Sequence, residues 1–455
     1  MGIFDNNSQS PQFYLLFSEN IKASYKKLYF YTKRVIVLKM KNKNVFIFLM
    51  CFITLLTSNI VWSQRTEPEW IYETGGTVWS VAISDDGNYI AAGAWDNNVY
   101  FLDREGNLLW KNEVSDKVWC LALSGDGNYV AVGCKDKKFY LFNGDGELLW
   151  NYETGGIVTA IDLSADGSLI AAGSRDDKIY LLDRDGNVIA TYEADNDINA
   201  IRVTSDGEKI VAGSRDKSVY YLNREGELLW SYETDESVYS IDITPNGDYV
   251  VAATKSNTIY LLNGEGELLW STAVEEHGGE LKVRISRDGD LVAGFNVVKV
   301  PHSDFISGSV ILVNKEGEEE WRYRVINNKF LDGDISADGT LIIGASRNGT
   351  IYLLSNEREL VWCYQVEGQA GTVAMTPDGE LIVVGTNEDK VYLFSSGVVI
   401  QETKTKETKT EETSAGGIPI EYIVGIIILL IIIVYVVLKS RKPKKKKRRY
   451  SERSQ

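Results

Sequence analysis

Histidine is nearly missing from this chain: only His277 and His302 occur in 455 residues. General acid–base catalysis and metal binding lean on histidine, so neither chemistry has its usual material. Both histidines fall in one irregular stretch, where a surface-loop role accounts for them. Cysteine is scarce as well. Of 4 cysteines, Cys51 lies in an apolar leader, which leaves Cys120, Cys134 and Cys363. An odd set offers no disulfide framework, and no Cys-x-x-Cys-His haem site is present. Basic charge is short too, with 48 Lys and Arg against 64 Asp and Glu. What basic charge there is gathers at the ends. Residues 1–63 hold 8 basic against 2 acidic side chains, and 439–455 hold 10 against 1, so the net −16 leaves −31 on 64–438. A body that acidic repels phosphate backbones, which argues against nucleic-acid binding.

What the chain does have is repetition. "ELLW" occurs at 147–150, 227–230 and 267–270, and "YET" at 72–74, 152–154 and 232–234. Trp70, Trp110, Trp150, Trp230, Trp270, Trp321 and Trp362 mark one slot, with Ala190 in the vacant place; the step is 40 residues to position 270, then 51 and 41. A second marker, a small residue followed by Asp-Gly or Asn-Gly, appears eight times from "SDDG" at 84–87 to "PDG" at 377–379. In the third copy "VTAIDLS" alternates, "SLIAAGS" is apolar, and "KIYLLD" is β-rich, each bounded by a tight turn. Such runs read as strands and hairpins. Four strands in about 40 residues is the blade pattern of a propeller. A helical solenoid would need a 3.6-residue period and few glycines, whereas this chain has 40 glycines, many at fixed phase.

"SADGSLIAAGSRDDKIYLLD" resembles a WD-repeat blade, and the "DREGNLLW" half resembles the tryptophan-docking repeats of quinoprotein-like (PQQ-like) propellers. The resemblance covers about 64–400. It departs from true WD repeats in lacking a Gly-His dipeptide and a Trp-Asp end to the third strand. The expected fold is therefore all-β: an eight-bladed propeller of four-stranded repeats over 64–400. Trp70 precedes the first blade's own first strand, so "EWIYET" at 69–74 is expected to be the outer strand of the last blade, closing the ring and leaving no open edge. "GVVIQE" at 397–402 is the rival closing strand.

The flanks give an address. Residues 40–63 read as a secretory signal peptide with Val61 and Ser63 before a cut at Gln64. Residues 1–39 then read as a misassigned start. Residues 401–417 form a polar stalk, and 418–438 an apolar run long enough to cross a bilayer as one C-terminal transmembrane helix. The basic tail, 439–455, is expected to stay cytoplasmic near anionic lipid. The propeller would then stand outside the cell membrane on a single span.

Catalytic candidates are lacking. The "DRDGN" and "GDGN" loops lack the alternating ligands of a calcium loop and read as turns. No metal site and no cofactor are expected; the residues that bind a quinone cofactor in PQQ-like dehydrogenases are not recognisable here. Cys120 and Cys134 fall on paired strands but diagonally, so no bridge is expected. One column of the first strands, expected to line the channel, reads Ala82, Ala122, Asp162, Arg202, Asp242, Arg284, Asp334, Ala374. Two readings stay open for its five charged members: an ion-pair ring that fixes blade register, or a charged site at the pore mouth. Outside the repeat slot and the leader, three tryptophans remain: Trp79, Trp95 and Trp119. With Lys135, Arg175, Arg215 and Lys255 at successive turns, they are expected on one face as aromatics beside a basic arc. The plainer alternative packs Trp79 and Trp119 between blades and uses the cations to neutralise Asp136, Asp176 and Asp216. The expectation is a non-enzymatic, membrane-anchored cell-surface module for a protein or glycan partner. The alternatives are an extracytoplasmic quinone-dependent oxidoreductase and a scaffold subunit of an envelope complex.

Overall fold

The computed structural model describes residues 67–274, 281–299 and 306–398. Expectations for the leader, stalk, transmembrane span and basic tail, and for both histidines, lie outside these residues. Among the described residues no helix is long and apolar enough to cross a membrane.

The described residues form eight four-stranded antiparallel sheets. The first blade shows why the sequence makes them. Its first strand, Val78–Ile83, buries Val78 and Val81 against neighbours. Its second, Tyr89–Ala94, is buried from Ile90 onward. It uses small residues because a second blade lies against it: an added Cβ at Gly93 would collide with Val118 of the next blade. The third strand, Asn98–Asp103, carries the bulky Val99, Tyr100, Phe101 and Leu102 into the core. The fourth, Leu108–Glu113, is the outer strand and alternates half-buried and exposed. The core therefore sits between blades. Ala91, Val99 and Phe101 of the first blade pack with Val118, Leu121 and Val130 of the second in one cluster. Each fully buried aliphatic side chain of this kind contributes roughly 1.5–3 kcal/mol.

The ring closes as the tryptophan phase implies. Trp70–Glu73 pairs with Lys390–Ser395 in antiparallel register, Trp70 opposite Leu393 and Glu73 opposite Lys390, which completes the eighth blade from both chain ends. Gly397 and Val398 form no strand.

All seven repeat tryptophans do the same work. Each indole N–H donates, at 2.6–3.0 Å, to a backbone carbonyl just past the third strand of the next blade. For six it lies in the third-to-fourth-strand turn, and for Trp362 it is Ser396, after the last strand on the C-terminal side of the eighth blade. Five of the receiving turns place a left-handed glycine under the indole; at Gly146, with φ of 85°, an added Cβ would sit 2.6 Å from Trp110 Cγ. Only glycine allows both that backbone and that approach.

The sixth blade differs. Its second and third strands, Leu291–Lys299 and Ile306–Asn314, run nine residues each. The insert expected to be irregular thus extends a hairpin, whose tip, with His302, lies outside the described residues.

Candidate functional site

A channel of about 540 Å³ runs along the axis, lined by the first strands of all eight blades. One mouth is drawn in by the Asp-Gly turns. Backbone N–H groups link neighbouring turns: Asp85 to Gly125, Gly125 to Ala165, Ala165 to Ser205, and Ser205 to Pro245, then Arg287 to Ala337 and Ala337 to Pro377. The two further links would need N–H donors at positions 245 and 377, and proline has none.

Inside the channel the charged column splits unevenly. Arg202 Nε lies 3.3 Å from Asp242. Arg284 reaches two carboxylates of the seventh blade, Asp332 at 3.5 Å and Asp334 at 3.6 Å. Each carboxylate also accepts a backbone N–H of the following blade: Asp162 from Val203, Asp242 from Ile285, Asp332 from Val373 and Asp334 from Met375, at 2.8–3.1 Å. Those N–H groups lie at the inner edges of splayed sheets, where no strand pairs with them, and a buried donor must find an acceptor. Burial pushes the Asp334 carboxyl up to about 6, against the pull of Arg284 and the Met375 and Ile335 N–H groups. Burial likewise raises Asp162, with Arg202 opposing. The expected ring of alternating pairs is therefore not continuous: among the described residues Arg202–Asp242 and Arg284–Asp332/Asp334 are separate groups, and Asp162 is held by the Val203 N–H and is in no ion pair.

The opposite mouth is shaped by β-bulges. In seven blades the first strand slips register at its second residue, as between Val78 and Ser80 or Val118 and Cys120. The slipped residues include Trp79 and Trp119, and a bulge re-aims the side chain it carries. Here the re-aimed indoles meet. Trp79 stacks on Trp95 with centroids 4.6 Å apart and planes at 21°, and lies 5.2 Å from Trp119 of the next blade. Cations fill in around them. Lys117 Nζ is 4.5 Å from the Trp95 centroid, Lys135 Nζ is 5.3 Å from Trp95 and 4.5 Å from Trp119, and the Arg175 guanidinium is 5.9 Å from Trp119. Such contacts contribute about 0.5–1 kcal/mol each at exposed sites. Trp79 keeps 40% of its surface exposed. The Trp95 indole N–H is buried without an acceptor among the described residues.

Residues 175–396 match the family model described as outer membrane protein assembly factor BamB, 89–200 the lambda-carrageenase β-propeller domain, and 67–103 the WD domain, G-beta repeat. The chain is an eight-bladed repeat β-propeller of WD-like and PQQ-like blades. No curated protein matches it. Among solved structures, the propeller is similar to the computationally designed Ika8 protein, with a TM-score of 0.58 and 16% identity over 71% of this chain and 97% of that one. It is also similar to Sqt1 of Saccharomyces cerevisiae, with a TM-score of 0.63 and 11% identity over 72% and 99%. At such identities the likeness carries the fold alone.

The propeller brings together five of the seven residues expected on the binding face: Trp79, Trp95, Trp119, Lys135 and Arg175. The continuous basic arc does not form. Arg215 turns to Asp197, 3.0 Å away. Lys255 stands on an exposed turn and adds to the groups that hold the Glu236 carboxyl down, after the Ser237 N–H and Lys217. The plainer alternative is corrected as well. Asp136, Asp176 and Asp216 are in no ion pair with the turn cations among the described residues, and each instead accepts the phenol O–H of the tyrosine four residues on, Tyr140, Tyr180 or Tyr220. Burial, and then the neighbouring Asp136, pushes the Tyr140 phenol up to about 12, so it stays a donor. The part of that alternative that stands is the contact between blades, since Trp79 and Trp119 do join the first blade to the second. Lys117 was missed. Its place in the loop before the second blade's first strand offered a hint, but only packing shows which indole it meets. Cys120 and Cys134 are free thiols, opposite Gly133 and Val118 respectively.

Proposed function

We propose that this chain is a membrane-anchored, non-enzymatic binding module whose propeller meets a protein or glycan partner outside the cell through the indole mouth. One observation carries the reading: three tryptophans from two blades and three cations from three further loops and turns converge into one strip beside the channel. Trp and Arg are the side chains most enriched at binding hot spots. The anchor rests on the sequence: a signal at 40–63, an apolar span at 418–438 and a basic tail behind it. The match to a family described as an outer membrane protein assembly factor supports a second reading, a scaffold subunit of an envelope complex.

The test is photo-crosslinking on intact cells, with a reactive group at the exposed turn position 137, beside the strip, followed by identification of the captured partner. Trp95→Ala is expected to abolish capture while the melting temperature stays near wild type. Capture unchanged in both Trp95→Ala and the Lys135/Arg175 double alanine would move the site off this face. A partner recovered in fixed stoichiometry through detergent would favour the scaffold reading.

A further inference from the structure

The strip gathers, side by side on indole rings, three cations without carboxylate partners among the described residues. Some other cations near this face have carboxylate partners, as Arg215 has Asp197, Lys111 has Asp96 and Lys390 has Glu367. Lys117, Lys135 and Arg175 are in no ion pair among the described residues; they rest on indole rings instead. The aspartates next to these cations, Asp116, Asp136 and Asp176, have hydrogen-bond partners of their own. Asp96 and Asp176 accept tyrosine hydroxyls at 2.5 and 2.7 Å, and Asp116 accepts the Lys117 backbone N–H at 2.7 Å. A cation resting on a ring still points N–H donors outward, because the ring occupies only one side of it. Three such cations side by side make a small positive surface on a body whose middle carries −31.

The rings themselves are taken. Trp79 contacts both other indoles, and Trp95 and Trp119 carry cations over their rings. A sugar read mainly by stacking would have to displace these contacts. What the strip offers freely is a set of N–H donors and the exposed part of Trp79. That combination suits carboxylates interleaved with apolar side chains.

We propose that the strip is a docking site for an acidic polypeptide segment, whose carboxylates pair with Lys117, Lys135 and Arg175 and whose aliphatic side chains lie on Trp79. The proposal rests on the reading of this mouth as the binding face. It also orients the partner. An acidic segment is repelled by the net negative charge of the propeller and attracted by this cluster, so electrostatics guide its approach.

The probe is a labelled twelve-residue peptide alternating glutamate and leucine, followed by fluorescence anisotropy, with alginate as an acidic polysaccharide. The protein is the 64–400 ectodomain. Its ring closes within the described residues, and the tail, with 10 basic side chains, would bind the probe by itself. The peptide is expected to bind at about 50 mM salt and to weaken steeply by about 300 mM. Lys135→Ala and Arg175→Ala should each cost about tenfold in affinity, and Arg175→Lys less. Lys137→Ala, on the same turn but outside the strip, should cost nothing. No binding at low salt, or equal binding by the Lys117/Lys135/Arg175 triple alanine, would overturn the proposal. Alginate binding tenfold tighter than the peptide would hand the site to a polysaccharide. If crosslinking still captures a Trp95-dependent partner while the peptide fails, the binding face stands and the acidic-peptide inference alone falls.

Discussion

The indole of Trp110, on the outer strand of the first blade, donates its N–H to the carbonyl of Gly144 in the second blade, 3.0 Å away. The same ring stacks on Phe101 of its own blade at 5.0 Å and contacts Phe142 of the next at 5.7 Å. One side chain therefore spans the seam between two sheets that share no ladder hydrogen bonds. Trp110→Ala is expected to lower stability by about 2–4 kcal/mol, somewhat below a fully buried Trp deletion because the ring is only half-buried. Trp110→Phe should cost about 1 kcal/mol, the worth of the hydrogen bond. Urea unfolding of the two variants checks the ratio. Equal losses would mean that the ring, and not its N–H, does all the joining.

Ala190 occupies the corresponding slot of the third blade, directly against Gly226. The receiving turn is nonetheless built as in its siblings, with Gly226 at φ of 77°. The seam between the third and fourth blades therefore has a docking place and no indole. Ala190→Trp is expected to raise stability by about 0.5–2 kcal/mol, the usual range for restoring a repeat consensus. A lowered melting temperature would show that the place is closed.

Arg284 and Arg202 should differ in what their loss costs. Arg284 serves two carboxylates and keeps 17% of its side-chain surface accessible, whereas Arg202 serves one and keeps 33%. Arg284→Ala strands Asp332 and Asp334 together and is expected to cost about 3–5 kcal/mol; Arg202→Ala should cost about 1–2 kcal/mol. Adding Asp334→Asn to Arg284→Ala should recover part of the loss. If the two single losses are equal, or nothing is recovered, these ion pairs do not fix blade register.

The channel also predicts a pH dependence. Asp334 in the folded protein titrates at about 6, above its ordinary 3.8. Between those values the folded state holds a proton that the unfolded chain does not. Stability from this group therefore rises as pH falls through about 6 and levels off near 4. The gain is on the order of 1–2 kcal/mol, less than the full shift implies, because 21% of the side-chain surface is open to the channel. The Asp-Gly turns act the other way at lower pH. Burial alone would raise Asp86, Asp126, Asp166, Asp206, Asp288 and Asp338, but turn N–H groups and Ser or Thr hydroxyls hold them below the ordinary value. Their stabilisation is lost only below about pH 4. Asp334→Asn should remove the rise between pH 6 and 4 and leave the acid limb in place. A variant that follows the wild-type slope through that window would assign the dependence to another group.

The sequence by itself determined the repeat, the four strands of each unit and the closing strand. It did so because each depends on local chemistry: Asp-Gly turns set hairpins, alternation sets buried faces, and Trp70 stands in the phase of the outer strands. It also determined which channel column is charged, since a period of about 40 residues puts equivalent positions on equivalent strands.

The tertiary structure decided what happens between blades. Trp79, Trp95 and Trp119 are 16 and 24 residues apart in sequence, and nothing in that spacing says that their rings meet. They meet because a bulge turns Trp79 and Trp119 out of their sheets toward one another across the seam. Lys135 and Arg175 follow them, while Arg215, at the same repeat position, pairs with Asp197. Equivalent positions in a repeat share a backbone but not a neighbour, and the neighbour decides whether a cation is paired or free to meet a partner.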